Sequence, residues 1–261
     1  MLDRSSYPLT CADRLLSPCL LLYRSHVEHN LAEMLRMAGG DPLRLRPHAK
    51  THKTGEVIRM ELDMGIVKHK CATLQEAQML AEHGASDVLL AYPLVGPNMA
   101  ALVELLKLFP DTQFSVVADN CHSIGALEQA IAIGGTQSSS LLPLRVFIDV
   151  DTGMHRTGVQ PGPQAVAVAQ AIDQSPSLTL AGLHLYDGQN HQPSLVERQA
   201  AVAELLQPVW ELTRQLNAVG ICVDALVCGG TPTFPVFAAL DVPADLLGSN
   251  ALFIELSPGT C

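Results

Sequence analysis

The sequence predicts an α/β protein built as a single (β/α)8 TIM-type barrel, on two observations and one absence. Short apolar runs alternate with longer amphipathic stretches almost to the end of the chain, the pattern of strands followed by helices. Apolar residues make up 48% of the 261 positions, which suits parallel strands buried on both faces. No Gly-x-Gly-x-x-Gly follows the first strand candidate, which disfavours the dinucleotide-binding form of the rival open sheet.

The elements fall in a regular order. A helical pattern near 25–38 precedes eight strand candidates at 43–49, 66–71, 87–92, 114–118, 145–150, 180–186, 225–228 and 252–256. Between them lie helical patterns near 53–63, 74–84, 97–108, 122–133, 162–173, 195–218 and 233–240. Thr73-Leu-Gln-Glu76 and Ser194-Leu-Val-Glu197 read as capping boxes, each end satisfying the other's free amide. Gly84 and Gly220 stand where helix C-caps belong. In the long helix, Val202, Leu205, Leu206, Val209 and Leu216 form a stripe, with a kink expected at Pro208. Gly-Gly-Thr-Gln-Ser-Ser-Ser at 134–140 reads as a surface loop, and no linker of domain scale appears. The division is a segment 1–17 followed by a barrel over 18–261.

Charge and cysteine usage exclude several functions. Net charge is −10, which disfavours nucleic acid or an anionic membrane as partner. No window approaches the roughly 18 uninterrupted apolar residues of a membrane span, and the first residues lack a signal-peptide layout. Seven scattered cysteines with no Cys-x-x-Cys pair point to reduced thiols and a cytoplasmic location. The cations are early: residues 1–70 hold 11 of the 16 Lys and Arg, whereas 71–261 hold 5 against 18 acids.

That early region contains the first chemical candidate. Leu43-Arg-Leu-Arg-Pro-His-Ala-Lys50 alternates strictly, so an extended strand places Arg44, Arg46, His48 and Lys50 on one face. In a barrel that face points inward and Lys50 reaches the C-terminal mouth, where such barrels carry their active sites. His48 and His52 have the spacing of a helical metal pair, but an extended strand separates them. The chain has five lysines, and Lys68 and Lys70 are the competitors of Lys50. Arg46 and Lys53 are expected to press the Lys50 amine toward its neutral form.

Seven strings then occur in order: Arg46-Pro-His-Ala-Lys-Thr-His-Lys53, Lys70-Cys-Ala-Thr-Leu-Gln-Glu-Ala77, Tyr92-Pro-Leu-Val-Gly-Pro97, Asp149-Val-Asp-Thr-Gly-Met-His-Arg-Thr-Gly-Val159, Gly182-Leu-His-Leu-Tyr-Asp-Gly188, Gly229-Gly-Thr231 and Glu255-Leu-Ser-Pro-Gly259. Together they resemble the D-threonine aldolase and D-serine dehydratase family of alanine-racemase-like, fold-type III pyridoxal-phosphate enzymes, over about residues 18–260. The resemblance implies pyridoxal 5′-phosphate as cofactor, with Lys50 as its Schiff-base lysine. It places Arg156 at the edge of the pyridine ring, where a permanent cation would keep the ring nitrogen unprotonated. Gly229, Gly230 and Thr231 become the phosphate loop, and Tyr186 lies near the phosphate or the substrate. Thr73 lines the site or merely caps its helix. His191 is the candidate acid/base on the substrate's hydroxyl.

The function so implied is a lyase acting on D-configured β-hydroxy amino acids, aldolase or dehydratase. Family members continue into a β-domain holding a divalent metal, zinc or manganese, and act as homodimers. This chain ends at Thr260-Cys261, so the expectation is the barrel alone, without the metal ligands and inactive by itself. A single-barrel pyridoxal-phosphate homeostasis protein and an amino-acid racemase are the alternatives.

Overall fold

The computed structural model describes residues 7–134, 143–246 and 252–259. The expected loop at 134–140 lies outside them from residue 135 onward.

Seven parallel strands form one sheet in sequence order. They are β1 (Lys68–Cys71), β2 (Asp87–Leu90), β3 (Gln113–Ala118), β4 (Leu144–Val150), β5 (Leu178–Leu185), β6 (Ala225–Cys228) and β7 (Phe253–Leu256). Helix α1 (Arg24–Met37) and α2 (Gly55–Asp63) precede β1. The strands are then separated by α3 (Leu74–Glu82), α4 (Pro97–Leu108), α5 (Cys121–Gly134), α6 (Pro163–Asp173), α7 (Leu195–Ala218) and α8 (Phe234–Ala238). No helix of the described residues is long and apolar enough to cross a membrane.

The first of the eight expected strands, 43–49, is present only as a bridging segment. Leu45 bridges Leu256 of β7 and His48 bridges Lys70 of β1, both in parallel. The Arg46 amide donates to the Leu256 carbonyl (2.7 Å), and the Lys70 amide donates to the Pro47 carbonyl (2.8 Å). The two edges of the curled sheet thus meet on one short segment. A regular ladder fails because Pro47 has no N–H to donate and because tight turns at Pro42–Arg44 and Ala49–Thr51 flank it. Arg44 therefore leaves the expected shared face and donates to the carbonyls of Ala38 and Ala238.

Alternation along the strands divides the buried apolar residues into two sets. Val88, Leu90, Val116, Ala118, Val146, Ile148, Val150, Leu226 and Cys228 join the helices in the large core. Leu89, Val117, Phe147, Ala181, Ala225 and Val227 form a separate cluster from the intervening positions, the barrel interior. β5 needs a bulge to hold this pattern: its register against β4 shifts between Val146 and Phe147, at Gly182. A Cβ on Gly182 would stand 2.0 Å from the Ala225 carbonyl oxygen, so only glycine fits.

At the start of the strands the interior is ionic. Fully buried Arg46 donates to Asp87 (2.7 and 3.0 Å) and Glu255 (2.5 Å), while Lys68 donates to Glu255 (2.6 Å) and Arg145 to Asp87 (3.3 Å). Burial alone raises both carboxyls, but the Arg46 charge outweighs it and holds Asp87 and Glu255 below their ordinary values. This network plugs the bottom, leaving the opposite end open for a site.

The end signals were partly realised. Gly84 (φ +95°) and Gly220 (φ +82°) follow α3 and α7 as Schellman caps, with Ala85 N donating to Leu80 O and Ile221 N to Leu216 O, both 3.0 Å. Thr73 accepts from the Glu76 amide (3.1 Å), although the Glu76 carboxylate turns to the amide of Ala72 (2.8 Å) and to Lys53. Ser194 makes no side-chain cap bond, so the second expected box is absent. Helix α7 continues through Pro208 as one element of 24 residues.

Candidate active site

Five loops converge on the C-terminal mouth of the barrel. The turn Ala49–Thr51 carries Lys50 directly after the bridging segment. Its start is held by His48, whose Nδ1 accepts the Lys50 amide (3.3 Å), and Thr51 Oγ1 donates back to the His48 carbonyl (3.2 Å). The Lys50 amine lies 5.5 Å from the centroid of the Tyr186 ring, one residue beyond β5. The Arg156 guanidinium, on the loop after β4, lies 4.4 Å from the same centroid. Partial burial and then the Arg156 charge hold the Lys50 amine below its ordinary value, which enlarges the neutral, nucleophilic fraction.

The expected source of that pressure is corrected here. Arg46 is bound to Asp87 and Glu255 at the other end of the interior and does not act on Lys50. Arg156 supplies the principal positive charge, with Lys53 behind it.

Beneath Lys50 lies a buried polar tier, of which the sequence singled out Lys70 and His48 but not Asp149 or His184. His184 on β5 and Asp149 on β4 pair through Nδ1 and Oδ1 at 2.7 Å. Both side chains are nearly fully buried, and His184 Nε2 has no hydrogen-bond partner. Burial lowers His184 despite the carboxylate; burial would raise Asp149, but its bond to His184 leaves it below the ordinary range. Lys70, also buried, is brought down to about 7 by burial and by the Lys50 charge. Burial followed by Lys70 and Lys50 pushes His48 down to about 2, which keeps its Nδ1 lone pair free to accept. The available signal was register: Asp149 stands two residues after inward-facing Phe147, and His184 two before Tyr186.

Gly229, Gly230 and Thr231 follow β6 as expected. Gly229 has φ +75°, and a Cβ there would meet Phe237 at 3.2 Å. Thr231 Oγ1 accepts from the amide of Gly259 (3.1 Å), tying the loop to the segment after β7. Asp187, whose carboxyl is raised by burial, is bonded to the Gly230 amide and Thr233. A Cβ on Gly230 would meet nothing nearer than Asp187 Oδ1 at 3.8 Å, so the backbone there is open to approach.

Two further expected residues make no hydrogen bond to these. Thr73 is committed to its cap on α3. His191 is exposed on the loop between β5 and α7, and no bond joins its imidazole to Lys50, Arg156 or Tyr186. Among the described residues no group of three or more His, Cys, Asp or Glu side chains could hold a metal ion.

A parallel barrel that gathers a lysine, an arginine, a tyrosine and a Gly-Gly-Thr loop at the C-terminal ends of its strands defines the class of alanine-racemase-like barrels. The chain belongs to the family of the alanine racemase N-terminal domain, whose model matches residues 23–239. It is 30% identical to a D-threonine aldolase from an Arthrobacter species over 240 residues, 92% of this chain and 61% of that protein. It is 29% identical to a 3-hydroxy-D-aspartate aldolase from Paracoccus denitrificans, covering 84% of this chain and 55% of the relative. Among solved structures, D-threonine aldolase from Filomicrobium marinum superposes with a TM-score of 0.78 at 27% identity, over 94% of this chain and 62% of that one. The chain therefore spans less than two thirds of the length of these relatives.

Membership of this family implies pyridoxal phosphate, and the side chains present suit it. A depressed amine can take an aldehyde, and an aromatic ring with a guanidinium beside that amine would suit a flat, anionic cofactor. The Gly230 amide is taken by Asp187, so the open backbone of the loop would offer a phosphate the Gly229 amide and the Thr231 hydroxyl. The buried, unpartnered Nε2 of His184 leaves an acceptor for a group not contained in the chain itself.

Proposed function

We propose that this barrel holds pyridoxal phosphate on Lys50 and belongs to a lyase acting on D-configured β-hydroxy amino acids. The observation that carries the reading is the approach of Lys50 and Arg156 to one ring, that of Tyr186, at the barrel mouth. When bound, the cofactor supplies an aldehyde for amine exchange and a ring that draws electrons from the substrate's α-carbon.

The chain's own residues divide the remaining work. Lys50 offers a neutral amine and, when released, a base able to take a proton from the α-carbon. Arg156, after burial, helps hold that amine below its ordinary value and borders the ring. The loop Gly229-Gly230-Thr231 would hold the phosphate, through the Gly229 amide and the Thr231 hydroxyl. His191 acts on the β-hydroxyl as acid/base. Removing the hydroxyl proton leads to Cα–Cβ cleavage, an aldolase; expelling the hydroxyl after loss of the α-proton is a dehydratase. By the same resemblance, the working unit is a homodimer of a longer protein, with zinc or manganese polarising the hydroxyl.

Treatment with pyridoxal phosphate and then borohydride tests the reading. The reduced cofactor is expected on the peptide containing Lys50. Label on Lys68 or Lys70 instead would overturn the assignment.

A further inference from the structure

The loop that carries Arg156 is organised around one carboxylate. Asp151, nearly buried just beyond β4, accepts from the amides of Gly153 (2.9 Å) and His155 (3.0 Å) through Oδ1. Its Oδ2 accepts from Gln160 Nε2 (2.8 Å) and pairs with His155 Nδ1 (2.8 Å). Its own amide donates to the Val159 carbonyl (2.9 Å), so the loop from 151 to 159 closes on itself. The closure is tight: a Cβ on Gly158 would stand 2.6 Å from the Asp151 nitrogen. His155, the residue before Arg156, is held at φ +53°, a left-handed conformation that a non-glycine residue adopts at a cost of about 1 kcal/mol or more. Two of the four acceptor contacts of Asp151 fall on that residue.

We propose that Asp151 is a positioning residue, holding the 151–160 loop in the conformation that lays the Arg156 guanidinium on Tyr186 beside Lys50. A second clasp supports the geometry: Thr152 Oγ1 donates to the Tyr186 carbonyl (3.2 Å) and Gln189 Nε2 to the Thr152 carbonyl (2.8 Å). The inference rests on the assignment of Lys50 and Arg156 to one site, but not on which cofactor they hold.

The readout is therefore the Lys50 amine of the cofactor-free chain. The charged and titratable groups facing it are Arg156, Lys53, Glu76, Lys70, His48 and Tyr186; Asp151 bonds none of them, and its link to Arg156 runs through the adjoining His155. The rate of acetylation of Lys50 by acetic anhydride, followed against pH by mass spectrometry, reports its protonation, with Lys107 as internal reference. Asp151→Ala is expected to raise the Lys50 midpoint by several tenths of a pH unit, as Arg156→Ala does, leaving Lys107 unmoved. The double variant is expected to match Arg156→Ala alone, because both changes remove one interaction. Asp151→Asn, which retains Oδ1 for the two amides and folds more readily, is expected to restore most of the parental midpoint. A midpoint that Arg156→Ala moves and Asp151→Ala does not, or an Asp151→Ala effect of full size without Arg156, would overturn the proposal. Loss of melting temperature with an unchanged Lys50 midpoint would do the same. Borohydride labelling is a separate measurement, so failure of the cofactor reading leaves this outcome legible.

Discussion

The Arg156 guanidinium sits 4.4 Å from the centre of the Tyr186 ring, and the two residues reach each other from the ends of adjacent strands, β4 and β5. A cation on an aromatic face at this distance gains about 0.5–2 kcal/mol, depending on how dry the contact is. The relationship shapes the electrostatics of the mouth, since the ring is shared by the cation and by the lysine whose amine burial and that cation hold below its ordinary value.

Gly188 makes room for this ring. A Cβ there would lie 2.6 Å from the Tyr186 hydroxyl oxygen, and Gly188 does not use a left-handed backbone conformation. Gly188→Ala is therefore expected to swing the ring off Arg156 with little strain in the main chain. Affinity for pyridoxal phosphate, measured by fluorescence titration, should fall by about tenfold, or roughly 1.4 kcal/mol. An unchanged affinity would show that the ring is not part of the cofactor site.

Thr73 offers a test in the other direction. Its hydroxyl accepts the Glu76 amide and starts α3, so Thr73→Ala should cost about 1 kcal/mol in urea unfolding, and Thr73→Ser should recover it. Cofactor affinity is expected to stay at the parental value in both. If Thr73→Ala weakens the cofactor while stability holds, the residue lines the site after all.

Legibility in the sequence followed the range of the interactions concerned. Helices α4 and α7 begin and end at the expected residues because their signals are local: Pro97 at the first turn of one, the glycine cap at Gly220 after the other. Strand β6 is likewise found where a short apolar run stands between turn residues. Segment 43–49 shows the limit. Alternation gives the correct inward side for Arg46 and His48, but ladder formation depends on donors, and Pro47 supplies none. Its partners lie at Leu256 and Pro258, at the far end of the chain, and no local pattern announces them.

The site divides the same way. Lys50, which alternation pointed to, and Arg156, Tyr186 and the Gly-Gly-Thr loop, which the resemblance implied, each sit at or just past a strand end, and a barrel brings all strand ends to one mouth. The identity of the cation beside Lys50 was not legible, because Arg46 is near in sequence but lies at the opposite end of the interior. The pairing of Asp149 with His184 was hidden for a related reason: inward-facing polar residues look the same in sequence whether they pair or stand alone.

Lys70 yields a prediction about stability and pH. It is 4% exposed, and burial followed by the Lys50 charge brings its amine from 10.5 to about 7. Above 10.5 the amine is neutral in both folded and unfolded chains and contributes nothing. Between 10.5 and 7 the unfolded chain binds the proton and the folded chain resists it, so stability falls as pH falls through this window. Below 7 both states carry the charge and the penalty is complete. Lys70→Met keeps the length of the side chain and removes the titration. The variant is therefore expected to be the more stable protein at pH 7, by on the order of a few kcal/mol, with the difference shrinking toward zero by about pH 10. The other groups facing Lys70 are Lys50, Asp149, Cys228, Arg46, His48 and His184, and all remain in both proteins, so their own titrations cancel to first order in the comparison. Urea unfolding of parent and variant at pH 7, 8.5 and 10 measures it. A variant less stable than the parent by the same amount at every pH would mean that the amine makes a packing or hydrogen-bonding contribution exceeding its desolvation cost, and the buried-cation account of this tier would be wrong.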